Sequence, residues 1–198
     1  MNIFAKAIFT SHPTLKDILI SRLEIEFSES IGEINIYKKV TPEWSTLVIF
    51  APAKEFEAAV VYLKENYDIL KMMCIGIGVP TDSLDLKMWD VMVPNTFINK
   101  NNDVVFNEYV VDQNYDLNAF GLVLNGICLS LDAQIQTEEE LADIKENYAC
   151  EIMDFEAFFQ AETLQKHDLT EKSVIIKSIW STQEELTHWV DILQLMME

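Results

Sequence analysis

Apolar residues recur along this chain with two spacings, one typical of strands and one typical of helices. Residues 33–37 alternate polar and apolar, as in a half-buried strand, and residues 46–50 form a continuous apolar run that suits a strand buried on both faces. Residues 15–23 instead place leucine and isoleucine three or four positions apart, which predicts a helix. The same reading predicts strands at 2–9, 33–37, 46–50, 69–77, 89–93, 104–111, 121–132, 151–154 and 174–179, and helices at 15–23, 53–67, from 137, from 156 and from 182 to the end.

The order of these elements predicts an α/β fold. Strands mostly alternate with helices, and some strands follow one another directly, which favours a three-layer α/β/α arrangement with a mixed central sheet. Gly126 interrupts the long apolar run at 121–132 and predicts a bend or bulge there. Thr137 and Glu140 form a capping box at the start of one helix. We expect residues 1–198 to form a single domain.

Residues 151–162 are the most informative segment. A strand end passes directly into a helix, with Asp154 and Glu156 at the junction. Open α/β sheets place their ligand crevices at the carboxyl ends of strands. The positive end of the helix dipole also favours an acidic residue in the first helical turn. Glu156 is therefore either a ligand-binding carboxylate or a helix-capping acid.

The composition excludes several classes of partner. The net charge of −19 leaves few lysines and arginines to neutralise phosphates or anionic lipids, so we expect neither nucleic-acid binding nor membrane binding. Cys74, Cys128 and Cys150 are odd in number and lie in apolar contexts, which indicates buried free thiols in a reducing, cytoplasmic location.

Motifs for cofactors and metals are absent from the sequence. There is no P-loop, nucleophile elbow or dinucleotide fingerprint. His12, His167 and His188 do not have the spacing of metal ligands, and no Cys-x-x-Cys pair occurs. We therefore expect no cofactor and no metal.

Four short strings follow one another in the order found in a known superfamily. Residues 67–78 resemble a strand that leads to a glycine-rich loop, and residues 86–93 resemble the string L-K-V-G-D-I-V-V. Residues 130–135 resemble S-G-D-A-F-I, and residues 152–157 resemble V-x-M-E. The chain thus resembles the nucleoside phosphorylase/nucleosidase superfamily over nearly its whole length, with the nearest likeness to bacterial 5′-methylthioadenosine/S-adenosylhomocysteine nucleosidases.

The resemblance implies a set of substrate-binding residues. Glu156 takes the place of the glutamate that binds the ribose, and Phe155 takes the place of a methionine beneath the sugar. Gln134 falls at the strand end beside the base, and Gly76 and Gly78 fall in the glycine-rich loop. A carboxylate suits the ribose because it accepts charge-assisted hydrogen bonds from neighbouring hydroxyls.

The catalytic positions depart from the family. Ser181 stands where the resemblance implies the aspartate that protonates the leaving base, and a hydroxyl of ordinary pKa is a poor acid. Ser181 also begins a capping box with Glu184, which favours a helix-capping role. No carboxylate follows the first strand, where the nucleosidases carry the glutamate that activates water. His12 is the candidate base there, although a turn residue before Pro13 is the more ordinary interpretation.

Three functions remain open at this point. We favour a diverged, non-catalytic protein that binds a nucleoside or purine. The second is an active nucleosidase that hydrolyses the N-glycosidic bond of a purine nucleoside such as 5′-methylthioadenosine or S-adenosylhomocysteine, and the third is a structural subunit without a ligand. The resemblance also implies a homo-oligomer, with a dimer favoured.

Overall fold

The computed structural model describes residues 3–81, 91–106, 122–124, 126–132 and 137–179 of the chain. Four helices are present in this part: α1 (Pro13–Leu23), α2 (Phe56–Asn66), α3 (Glu138–Asn147) and α4 (Ala157–Lys166). The strands are β1 (Ile3–Thr10), β2 (Glu26–Ile31), β3 (Ile34–Val40), β4 (Ser45–Phe50), β5 (Tyr67–Ile77), β6 (Val79–Pro80), β7 (Val91–Val93), β8 (Thr96–Asn99), β9 (Val104–Phe106), β10 (Leu122–Leu124), β11 (Ile127–Ser130), β12 (Ile152–Asp154) and β13 (Ser173–Ser178).

The larger sheet has eight strands in the order β10-β7-β13-β5-β1-β4-β3-β2. Its four middle strands, β13, β5, β1 and β4, run parallel, so their carboxyl ends meet at one edge. The outer strands include antiparallel pairs. The sheet is therefore mixed, as predicted, and its central edge is the kind of edge at which α/β proteins bind ligands.

The smaller sheet has five strands in the order β6-β12-β11-β8-β9. Its middle strands β12, β11 and β8 are parallel. The single strand predicted at 121–132 is divided between the two sheets, with Gly126 between β10 and β11. A Cβ at Gly126 would lie 2.0 Å from Cε of Met92, so a larger residue here would require the end of the Met92 side chain to move.

The layers follow from which face of each element is apolar. On one face of the large sheet α1 packs through Leu15, Ile18 and Leu19. The opposite face packs against α2 and α4, and α4 also contacts the small sheet, so that α4 lies between the two sheets. Ile144 of α3 packs on the far side of the small sheet. The α/β/α layering predicted from the sequence is confirmed, with a second sheet added to it.

Some boundaries differ from the sequence prediction. The prediction missed β2, because β2 is exposed at every position and its sequence therefore lacks the apolar pattern of a buried face.

The capping box of Thr137 and Glu140 is confirmed, and all three cysteines are buried free thiols. None of the helices in the described ranges is long and apolar enough to cross a membrane. The helix predicted from 182 lies outside the described residues.

Candidate active site

The start of α4 is capped by Asp154 and Ser130. Oδ2 of Asp154 accepts a hydrogen bond from the backbone N–H of Ala157 at 2.8 Å, and Oγ of Ser130 accepts one from the N–H of Phe158 at 2.8 Å. Ser130 also donates to Oδ1 of Asp154 at 2.6 Å. Glu156 occupies the N-cap position but makes no side-chain cap hydrogen bond. The helix-capping role that the sequence offered to Glu156 is therefore filled by its neighbours.

The carboxylate of Glu156 is directed instead to the carboxyl edge of the large sheet. Its Oε2 accepts a hydrogen bond from Oγ of Ser11 at 2.8 Å. Its Oε1 lies 3.4 Å from Nζ of Lys177. Ser11 follows β1 and Lys177 lies near the end of β13, so one side chain from the α4 layer joins two strands of the sheet. The Glu156 side chain is 11 % exposed, so it is largely buried but not completely enclosed.

Lys177 is the buried cation of this cluster. Its side chain is fully buried, and Nζ lies 2.6 Å from Oδ2 of Asp154 in addition to its contact with Glu156. Burial alone lowers the pKa of Lys177, but the charges of Asp154 and Glu156 outweigh burial and raise that pKa above its usual value. Two carboxylates thus share one ammonium group, and the cluster carries a net negative charge.

Gly76 provides the space for this cluster. It pairs with Lys177 in the parallel register of β5 and β13. A Cβ on Gly76 would lie 2.6 Å from Nζ of Lys177 and 2.7 Å from Oε1 of Glu156. A Cβ on Gly78 would lie 2.3 Å from Cδ1 of Ile152, which fills the corresponding space there. The described contacts of both glycines are therefore with protein side chains, and Gly76 lies within a strand rather than in a loop.

His12 lies beside the cluster, at the N-cap of α1. Its backbone N–H donates to Oγ1 of Thr10 at 3.2 Å. Burial lowers the pKa of His12 below its usual value, although the nearby charge of Glu156 acts in the opposite direction. A lowered pKa keeps the imidazole neutral at pH 7, which is the state that a general base requires.

Known structures share this arrangement of elements. A mutant of futalosine hydrolase of Helicobacter pylori superposes with a TM-score of 0.81, at 13% identity over 98% of each chain. The 5′-methylthioadenosine/S-adenosylhomocysteine nucleosidase of H. pylori gives a TM-score of 0.81 at 11% identity, over 98% of this chain and 97% of that one. A putative nucleosidase of the same kind from Francisella philomiragia gives 0.79 at 11% identity, over 97% of each. The chain has the nucleosidase fold.

The superfamily resemblance read from the sequence is thereby confirmed at the level of the fold. No family model matches the sequence, and no curated protein matches it. At 11–13% identity the shared fold does not assign an activity, so the residues of the site have to be judged by their own geometry.

Of the residues predicted from the sequence, the structure brings together Glu156, Gly76 and His12. Phe155 is adjacent to Glu156 in the chain, and about half of its surface (52%) is exposed, so the ring is open to a ligand or to another chain. Gln134 and Ser181 lie outside the described residues, and their predicted roles stay predictions. No group of three or more potential metal ligands occurs within the described ranges.

Sequence reasoning missed Lys177 and Ser11. Lys177 did leave a signal, since it interrupts the apolar run 174–179 of a strand that should be buried on both faces. A lysine in such a run needs a buried acidic partner, and Asp154 and Glu156 were the nearest acids at a strand end. Ser11 left no comparable signal, because a serine after a strand is an ordinary turn residue.

Proposed function

We propose that this chain binds a ribonucleoside at the carboxyl edge of the large sheet and that Glu156 accepts hydrogen bonds from the sugar hydroxyls. The observation that carries the proposal is the orientation of the Glu156 carboxylate. It is released from helix capping by Asp154 and held at the sheet edge by Ser11 and Lys177.

Fixing the carboxylate in advance favours binding. A free glutamate side chain loses rotamer entropy when it binds a ligand, whereas contacts from both sides already restrict Glu156. Each carboxylate oxygen has two lone pairs, so Oε1 and Oε2 retain capacity for hydroxyl donors. A sugar hydroxyl then forms a charge-assisted hydrogen bond, which is stronger than a neutral one.

Similar structures support a nucleoside ligand. The H. pylori nucleosidase has been solved with butyl-thio-DADMe-Immucillin-A, and a variant of that enzyme with 5′-methylthioadenosine in its active site. Those ligands belong to those proteins. They give the ligand class that we propose to test first for this chain.

We propose further that the chain does not break the N-glycosidic bond. Hydrolysis of this bond needs an acid for the departing base and a base for water. The family pattern implies carboxylates at both places, and this sequence has Ser181 and His12 there. The described cluster of Asp154, Glu156 and Lys177 is an internally paired ionic network, which suits holding a ligand rather than transferring a proton.

An active nucleosidase is the second candidate, and the position of His12 favours it. The charge of Glu156 acts on His12, and the lowered pKa leaves the imidazole neutral near pH 7. A neutral imidazole beside the ribose-binding carboxylate is suited to accept a proton from water. In this alternative the leaving base has to be protonated by another group or by solvent.

Calorimetric titration with adenosine, inosine and 5′-methylthioadenosine tests binding. Glu156→Gln preserves the shape of the side chain and removes its charge, so we expect about a tenfold or greater loss of affinity. Glu162→Gln, on the exposed face of α4, is the matched control and keeps wild-type affinity. Equal affinities in wild type and Glu156→Gln would place the ligand elsewhere, and no binding by wild type would leave the structural-subunit interpretation.

Release of free base separates the two candidate functions. We expect no adenine or hypoxanthine above the spontaneous rate when micromolar protein is incubated with the same nucleosides and the products are separated by chromatography. Turnover that is abolished in His12→Gln would instead establish the nucleosidase. Both measurements use the full chain.

Two further properties belong to this proposal. We propose a homodimer, for which the exposed aromatic rings of Phe155 (52%) and Phe159 (37%) beside the site are suitable contact groups. Sedimentation equilibrium checks the dimer, and a monomer at tens of micromolar would contradict it. We also propose a cytoplasmic location, in keeping with the three buried free thiols.

A further inference from the structure

Ser11 lies at a place in the site where the proposed function uses it only to hold Glu156. It follows β1, which lies between β5 and β4 in the middle of the large sheet, and it precedes α1. Its hydroxyl reaches Glu156 across 145 positions of sequence, at 2.8 Å from Oε2. Both residues keep some exposure at this edge, Ser11 being half-buried. The Ser11–Glu156 pair is therefore a surface that a ligand can touch.

The hydrogen bond between Ser11 and Glu156 determines which donors and acceptors remain available to a ligand. A hydroxyl group has one proton, and a carboxylate has none, so Ser11 is the donor and Glu156 the acceptor. With that proton engaged, Oγ of Ser11 presents only lone pairs. Glu156 also presents only lone pairs, so two acceptor atoms lie side by side, at hydrogen-bonding distance from one another.

Lys177 does not change this character. Its ammonium group has three donors, but its side chain is fully buried behind Gly76 and is directed to Asp154 and Glu156. The negative net charge of the cluster further disfavours an anionic group such as a phosphate. A ligand at the pair has to bring two adjacent donors, and neighbouring hydroxyls of a cis-diol are such donors.

We propose that Ser11 and Glu156 together recognise a cis-vicinal diol, with one sugar hydroxyl donating a hydrogen bond to Glu156 and the other to Ser11. This inference rests on the proposed nucleoside binding and makes it more specific. Ser11 is then a specificity-determining residue, and the site selects ribonucleosides over 2′-deoxy and 3′-deoxy nucleosides.

The test compares ribonucleosides with their deoxy forms on three proteins. Adenosine, 2′-deoxyadenosine and 3′-deoxyadenosine, and the same three forms of inosine, are titrated calorimetrically into wild type, Ser11→Ala and Ser11→Thr. In wild type we expect each deoxy form to bind roughly tenfold more weakly than the ribonucleoside, the effect of one net hydrogen bond.

Ser11→Ala should weaken ribonucleoside binding by roughly tenfold and abolish the discrimination against one of the two deoxy forms, because the hydroxyl that Ser11 accepted has lost its partner. Ser11→Thr keeps the hydroxyl and should keep the discrimination. Ser30→Ala removes a surface hydroxyl on β2, bonded to Asn35 at 2.7 Å, and should match wild type.

The outcomes separate this inference from the proposed function. Unchanged discrimination in Ser11→Ala, or equal affinities of wild type for ribo and deoxy forms, would overturn the role of Ser11 while Glu156→Gln still reports on nucleoside binding. An absence of ribonucleoside binding by wild type would overturn both.

Discussion

The two ends of α4 carry ionic clusters in different surroundings, and each cluster contains a lysine paired with a glutamate. At the start of the helix Lys177 meets Asp154 and Glu156, and the three side chains are 0%, 1% and 11% exposed. At the end Lys166 and His167 meet Glu57 of α2, at 2.5 Å and 3.3 Å, with side chains 64%, 18% and 38% exposed. The nitrogen–oxygen distances in the two clusters are similar, but the exposure of their side chains to water differs.

Solvation decides what each cluster contributes. Water screens the pair at the end of α4 and competes with it, so such surface contacts add little to stability. At the start of α4 the charges have lost their water and depend on one another, so the removal of one partner is costly even though the intact cluster is not a large net source of stability. The buried cluster therefore holds its three side chains in one arrangement. The exposed cluster adds little to stability.

Removal of the buried cation gives the largest expected effect. Lys177→Met leaves two buried carboxylates without a counter-ion, and we expect it to lower the free energy of unfolding by about 3–5 kcal/mol. Urea denaturation at pH 7 measures it. Lys166→Met is the matched control at the other end of α4, and we expect no measurable change because its charge is in water. Similar urea midpoints for the two variants would contradict the difference between the clusters. Failure of Lys177→Met to fold would be the largest possible loss of stability and would support it.

A methyl group on Gly76 is the next largest change. Its Cβ would fall 2.6 Å from Nζ of Lys177, so Gly76→Ala has to displace the ammonium group or the strand, at a cost of about 1–3 kcal/mol. In a double-mutant cycle with Lys177→Met the two costs should not add, since one contact is common to both. Additive costs would show that Gly76 does not accommodate the cluster.

Gln160 lies one helical turn beyond Glu156, between the two clusters. It is fully buried, and its Nε2 and Oε1 have no hydrogen-bond partner among the residues that the structure describes. A buried amide without partners costs free energy, so Gln160→Met should stabilise the protein by about 1 kcal/mol, as judged by its urea midpoint. The exposed Gln165→Met should leave it unchanged. A loss of stability in Gln160→Met would mean that the amide is satisfied.

The smallest effect is a pH dependence at His12. Because its pKa is lowered in the folded protein, the unfolded chain binds more protons below the ordinary value of 6.5. Protonation of His12 therefore favours the unfolded chain, so the free energy of unfolding decreases as the pH falls below that value. Between about pH 7.5 and about 5.5, wild type should lose slightly more stability than His12→Gln in urea titrations. Parallel losses would show that Glu156 offsets the burial of the ring.

Prediction from the sequence succeeded where the information is local. Capping at Thr137 depends on residues three positions apart, and the apolar run 174–179 marks its strand directly. It was incomplete at 121–132, since β10 and β11 form one apolar run and only their pairing with different neighbours separates them. It placed Glu156 correctly at a strand–helix junction and left its role open, because a capping acid and a ligand-binding acid have the same local sequence.

The sequence by itself determined the α/β class, most of the order of elements and the position of Glu156, since these follow from the spacing of apolar residues and from the chemistry of a strand end. Only the tertiary structure decided where the Glu156 carboxylate is directed. Asp154 caps α4, and the missing side chain of Gly76 leaves space for the Glu156 carboxylate. Ser11 and Lys177, which contact that carboxylate, lie 145 and 21 positions away in the sequence. Contacts at such distances are set by strand order and register, which bring distant residues together and which no local pattern encodes.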